Sequence, residues 1–229
     1  MKSLWSDIHF SWAIIVLKKR PYVTFSGLFN ALIPLHYSIK SEGIKKLQKQ
    51  YYTRTAQWLH WIMAIIFITA WIIGFYSGQF LSYDVDGSFK GNVITLHKNI
   101  ATTLIFLVII RIFWRYTHPA PALPETMSPT MKRLAHFGHI ALYLMLLALP
   151  ITGCIFSWSA GYPAPVMYLF NIPPLIEKNE ELLAIMRPVH TYISWGAGLL
   201  LVGHIAAALK HHFIDRDHVL KSMTQQPKP

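Results

Sequence analysis

Four stretches of the chain are apolar for about 20 residues each, the length at which a helix crosses a hydrocarbon core of about 30 Å. The first runs from about Gln57 to Tyr76, opened by Trp58 and Trp61 and closed by Tyr76, aromatic residues of the kind that settle at membrane interfaces. The second, about Asn92 to Tyr116, keeps an uninterrupted centre, IATTLIFLVII. His97 and Lys98 stand at one end of it and Arg111 and Arg115 at the other, where long cationic side chains can reach the interface. The third, about Leu134 to Trp158, carries His136 and His139 early and Pro150 late, and the missing N–H of Pro150 predicts a kink. The fourth, about Pro188 to Leu209, puts Pro188 at a helix-opening position and offers Gly196, Ala197, Gly198 and Gly203 for close backbone approach. The expectation is an all-α fold, a transmembrane four-helix bundle over residues 51–223 followed by a polar tail over 224–229.

Composition agrees with lipid as the solvent. Of 229 residues 53% are hydrophobic and 14% charged, against about 25% charged in an average soluble domain. A formal charge of +11 suggests nucleic acid or an anionic membrane surface. Nucleic acid is excluded because the Lys and Arg stand in short clusters between long uncharged runs rather than on one solvated face. A single cysteine, Cys154, rules out a disulfide framework, a Cys-rich zinc site, an iron–sulfur cluster and thioether-linked haem, and reads most simply as a small core residue.

Orientation follows from the basic residues of the connecting segments. Lys40, Lys45, Lys46, Lys49 and Arg54 precede the first span, Arg115, Lys132 and Arg133 join the second to the third, and Lys210, Arg216, Lys221 and Lys228 follow the fourth. The other side has Lys90, and Lys178 and Arg187 outnumbered by Glu177, Glu180 and Glu181. Both ends of the four-span unit are therefore expected in the cytoplasm. Residues 1–50 form a basic and apolar extension: IHFSWAIIVL is too short to cross and is followed, not preceded, by its charges, so a surface-lying segment is expected there. Tyr22 to Ile39 is nearly long enough for a fifth span but holds Asn30, Pro34 and His36.

A histidine inside a membrane helix is costly, and marks a functional site or a hydrogen bond between helices. Here four have matched depths. His190 and His204 are 14 residues apart on the fourth span, four turns at the 3.5 residues per turn of a left-handed bundle, so they share a face about 21 Å apart, too far for one metal. Each then needs a partner at its own depth: His60, one turn inside the cytoplasmic end of the first span, for His204, and His97, one turn inside the outer end of the second, for His190. Facing imidazoles with no carboxylate or thiolate nearby suit an axially coordinated haem, since non-haem iron would want carboxylates and closed zinc four ligands. Gly74, 14 residues after His60, and Ala197, midway between His190 and His204, leave room for a flat macrocycle or for close helix contact.

TAQWLHWIMA, the lone His97 opening the second span, LAHFGHIALYLMLLALPITG in the third and the two-histidine fourth span resemble the bacterial four-helix cytochrome b561 family. More distantly, they resemble the membrane cytochrome b subunits of hydrogenases and formate dehydrogenases. The resemblance covers about Tyr51 to Met223, with the extension outside it. It implies two b haems with His60, His97, His190 and His204 as axial ligands to the iron, quinone as electron donor or acceptor, and a place in respiratory electron transfer at the bacterial inner membrane. In some members it implies superoxide as one-electron donor on the outer side, although the outer loops here have mixed charge. Arg111, 14 residues after His97, and Lys98 are candidates to pair with haem propionates, with plain snorkelling as the alternative. His136 and His139 share a face near the cytoplasmic side as quinone-site or structural residues. His211 and His212, beside Lys210, read as solvated.

Three functions compete. A dihaem oxidoreductase would carry electrons between the outer face and a quinone, with membrane lipid, quinone and a redox protein as its partners. A cytochrome subunit of a larger oxidoreductase would copurify with an iron–sulfur partner. A haem-free transporter would show no haem absorption.

Overall fold

The computed structural model describes residues 50–226; the proposals for the extension, a surface-lying segment or a fifth span, lie outside the described residues. Four long helices make up most of it: α1 (Arg54–Phe80), α2 (Tyr83–Thr117), α3 (Pro129–Ser159) and α4 (Glu180–Phe213). Each is long and apolar enough to cross a membrane. Each also starts where a polar side chain accepts an N–H of the first turn: Thr53 from Ala56, Ser82 from Val85, Ser128 from Met131 and Asn179 from Leu182. Such a cap contributes about 1 kcal/mol and fixes the point of entry.

Pro188 does not open the fourth helix. It lies inside α4, which begins eight residues earlier at Glu180. Asn179 caps that earlier start, and Glu180 and Glu181 place negative charge at the helix's positive end. Together they extend the helix past the one bond, to Ala184, that Pro188 cannot donate. Pro150 likewise has helix on both sides within α3. In α2 the first turn is set off from the rest by Gly87, whose φ of 45° and ψ of −116° are foreign to a helix and favour glycine.

Sequential helices are neighbours: α1 packs on α2, α2 on α3 and α3 on α4. The shared core is thin, formed by Met63, Phe67, Leu104, Val108, Leu149 and Ala197. Large apolar side chains such as Ile65, Phe113, Leu144 and Leu199 point outward instead. In water such surfaces would associate; against lipid they cost nothing, and helix association rests on close packing.

Between α3 and α4 lies a small antiparallel hairpin, β1 (Ala164–Val166) and β2 (Phe170–Ile172), with Val166 opposite Phe170. It defines the hairpin end of the bundle. At the other end, α5 (Val219–Thr224) returns over the start of α1. Tyr52 N–H donates to the Ser222 carbonyl at 3.1 Å, Gln57 Nε2 to the same carbonyl at 2.9 Å, and Trp61 Nε1 to Met223 at 3.1 Å. Both ends of the four-helix unit thus meet at one end, as an even number of crossings requires. Gln225 and Gln226, in the polar tail, bond to Gln57.

His211 and His212 are half-buried rather than freely solvated. The chain turns back after α4 and brings Asp217 to 2.7 Å from His211 Nδ1, leaving that side chain 11% exposed, while His212 Nδ1 is buried without a hydrogen-bond partner among the described residues. Adjacency to Lys210 in the sequence said nothing of this turn, in which Arg216 adopts a φ of 53°.

Candidate functional site

The histidines on α4 meet partners at two levels. His60 of α1 and His204 of α4 face each other with ring centroids 6.1 Å apart, and His97 of α2 and His190 of α4 at 6.3 Å. Two metal–nitrogen bonds of about 2.0–2.1 Å to a central ion would set the centroids about 6 Å apart, so both pairs have the spacing for an ion held between them. The His97–His190 site fits a haem on further grounds. His97 Nδ1–H donates to the Ala70 carbonyl at 2.9 Å. The Thr152 hydroxyl donates to the Ala148 and Leu149 carbonyls, so His190 Nδ1–H donates to Thr152 Oγ1, at 3.0 Å. Each bond fixes the tautomer that leaves Nε2 as the free lone pair, as metal-bound histidines require.

Glycine is needed beside the same pair. A Cβ on Gly74 would lie 2.8 Å from His97 Cε1, and one on Gly153 3.2 Å from His190 Cε1. Between the two levels, Trp71 of α1 donates from Nε1 to the Ser194 carbonyl at 2.8 Å and lies over Gly198, whose Cβ would meet the indole at 2.6 Å. Gly198 of α4 therefore receives an aromatic side chain from α1, whereas Gly196 and Gly203 have nothing within 4 Å of a Cβ.

The level nearer the ends of the four-helix unit holds a third imidazole. His139 of α3 has its ring 5.7 Å from that of His204, whereas the ring contact of His136 is with its neighbour Phe137. Spacing in the sequence placed His136 and His139 on one face but did not show which of them reaches α4. His60 and His204 are half-buried, and His139 is exposed. The ring nitrogens of these three do not close into a common cluster of the kind that His211, Asp215 and Asp217 form at the end of α4.

Arg111 turns into the bundle at this level. Its Nη1 donates to the Ala56 carbonyl at 3.0 Å and its Nε to the Tyr143 hydroxyl at 3.1 Å. Three of its five N–H donors remain for an anion. Lys98 takes the matching place at the hairpin end, where Nζ donates to Ser157 Oγ at 2.8 Å and lies 5.2 Å from the centre of the Tyr162 ring. Neither cation has a carboxylate partner among the described residues. Tyr143, Thr152 and Ser157 were not anticipated, since hydroxyl residues on apolar helices carry no spacing signal of their own.

A multi-pass four-helix membrane protein with two stacked pairs of facing histidines belongs to the class of membrane cytochromes b. The chain matches the prokaryotic cytochrome b561 family over residues 51–226 and belongs to it; it is a membrane electron-transfer protein of a family that carries b-type haem. It is 34% identical over 164 residues to cytochrome b561 homolog 2 of Escherichia coli K12, covering 72% of this chain and 86% of that one. It is 26% identical over 165 residues to the probable superoxide oxidase CybB of Yersinia pestis, covering 72% and 90%. It is also 26% identical over 184 residues to cytochrome b561 homolog 1 of Escherichia coli K12, covering 77% and 98%.

Proposed function

We propose that the chain is a dihaem cytochrome that carries single electrons across the bacterial inner membrane, between an outward-facing hairpin end and a quinone at the cytoplasmic end. The observation that carries this reading is the two facing imidazole pairs on one face of α4. Fourteen residues of helix separate His190 from His204, about 21 Å, so each pair holds its own haem, His60 with His204 and His97 with His190. Haem iron supplies reversible one-electron chemistry when bound.

The chain's residues do the rest. Ala70 and Thr152 hold the His97 and His190 rings in the ligating tautomer. Arg111 and Lys98 offer their unpaired charges to propionates, and a cation close to iron favours the electron-rich state. His139, exposed beside His204, is placed to hydrogen-bond a quinone carbonyl and pass it a proton when it is reduced. The excess of Lys and Arg around the ends of the unit supports their cytoplasmic placement. Superoxide as outer donor rests on the name of the Yersinia pestis relative, with Lys98 as a cation at that end.

A pyridine haemochrome assay on the purified protein tests the count: two b haems per chain are expected, and one or none overturns the reading. His139→Gln is expected to keep both haem signals and to lower quinone reduction by about 10²-fold, the usual scale for losing a positioned acid–base group. Loss of a haem in that variant would instead make His139 a ligand.

A further inference from the structure

The hairpin between α3 and α4 reaches well below the ends of the helices. Met167 N–H donates to the Asn99 carbonyl at 3.1 Å and Tyr168 N–H to Asn99 Oδ1 at 2.6 Å. Asn99 is 1% exposed and two residues past His97, so the tip lies at the level of the His97–His190 pair. Gly74 and Gly153 mark that level on α1 and α3, and both helices continue for six residues beyond it to Phe80 and Ser159, about 9 Å. Phe170 goes further in, its ring 6.2 Å from that of Phe106.

At that depth the hairpin divides into two faces. Ala164 and Val166 are buried, on a strand that packs on α2. Tyr168 and Leu169 at the tip are 70% and 78% exposed, and Met167 and Phe170 flank them, also exposed. The tip carries no charge, and its surface runs on into the exposed Phe106 and Ile110 of α2. Its N–H groups are met within the protein: Leu169 N–H donates to Val166 at 2.8 Å, and Asn99 takes those of Met167 and Tyr168. Non-helical backbone at membrane depth has to rest against protein in this way, leaving its side chains to face the lipid. Met167 and Tyr168 also hold φ of 49° and 58°, a region that a solvated turn fills with Gly or Asn, so the strain is accepted where apolar side chains are wanted.

We infer that residues 164–172 form a re-entrant hairpin, pinned by Asn99, whose tip is inserted into the hydrocarbon of the leaflet at the hairpin end. It thereby closes α2 to water at the level of the His97–His190 pair. The test uses the full-length, haem-loaded protein in phosphatidylcholine vesicles, with a nitroxide on Leu169→Cys in a Cys154→Ser background and Tyr168→Cys as a second site. Collisions with oxygen are expected to exceed those with a water-soluble nickel complex, as for a label at Leu199 and unlike one at Glu177. Nickel access equal to that at Glu177 overturns the inference, and so does shielding from both reagents, which would mean that protein covers the tip. Adding Asn99→Ala is expected to raise nickel access at position 169 at least severalfold. No change would remove Asn99 as the pin.

Discussion

His60→Ala and His204→Ala are each expected to abolish one and the same haem signal and to leave the other in place, while His97→Ala and His190→Ala abolish the second. The expectation rests on which rings face each other. His204 meets His60 across 6.1 Å and His190 meets His97 across 6.3 Å, so on the proposed reading the α1 and α4 variants of the first pair would act on one haem and the α2 and α4 variants of the second pair on the other. Haem content should fall by half in every variant, and a spectral redox titration should show one remaining component, shared within each pair of variants. If His60→Ala and His190→Ala removed the same component, the pairing would be wrong. His139→Gln serves as the internal control, because its ring is as near to His204 as that of His60 but belongs to an exposed side chain.

Gly74→Ala is expected to weaken haem binding at the His97–His190 level alone. The new Cβ would lie 2.8 Å from His97 Cε1, and the ring cannot swing away without losing its bond to the Ala70 carbonyl. Overpacking of this kind costs about 1–3 kcal/mol, or roughly 5- to 150-fold in affinity. Gly153→Ala, at 3.2 Å from His190 Cε1, should show a smaller loss, and Gly203→Ala, with nothing within 4 Å of its Cβ, none. Haem titration of the apoprotein, read at the two spectral components, orders the three. Equal effects at Gly74 and Gly203, or loss of the His60–His204 component in Gly74→Ala, would show that contact with the His97 ring is not what requires glycine.

The four crossings, and the matched depths of His60 with His204 and of His97 with His190, were legible in the sequence. Both follow from the rise and pitch of a single helix, so distance along the chain converts directly into depth and face. Glycine at 74 could be placed on the His60 face by the same spacing. The chain alone did not reveal the start of α4 at Glu180, because a proline seen in isolation reads as an opening, whereas Asn179 and the acids after it outweigh one missing bond. Nor did it show that His139 rather than His136 reaches His204, that Asp217 takes His211, or that Asn99 holds a hairpin nearly 70 residues further on. The second depends on a turn in which Arg216 takes a positive φ, and the first and the last on how closely two segments remote in sequence approach. That distance is set by the side chains between them, Trp71 against Gly198 among others, and no local period encodes it. Periodicity fixed where each histidine could point, and tertiary packing decided what it meets.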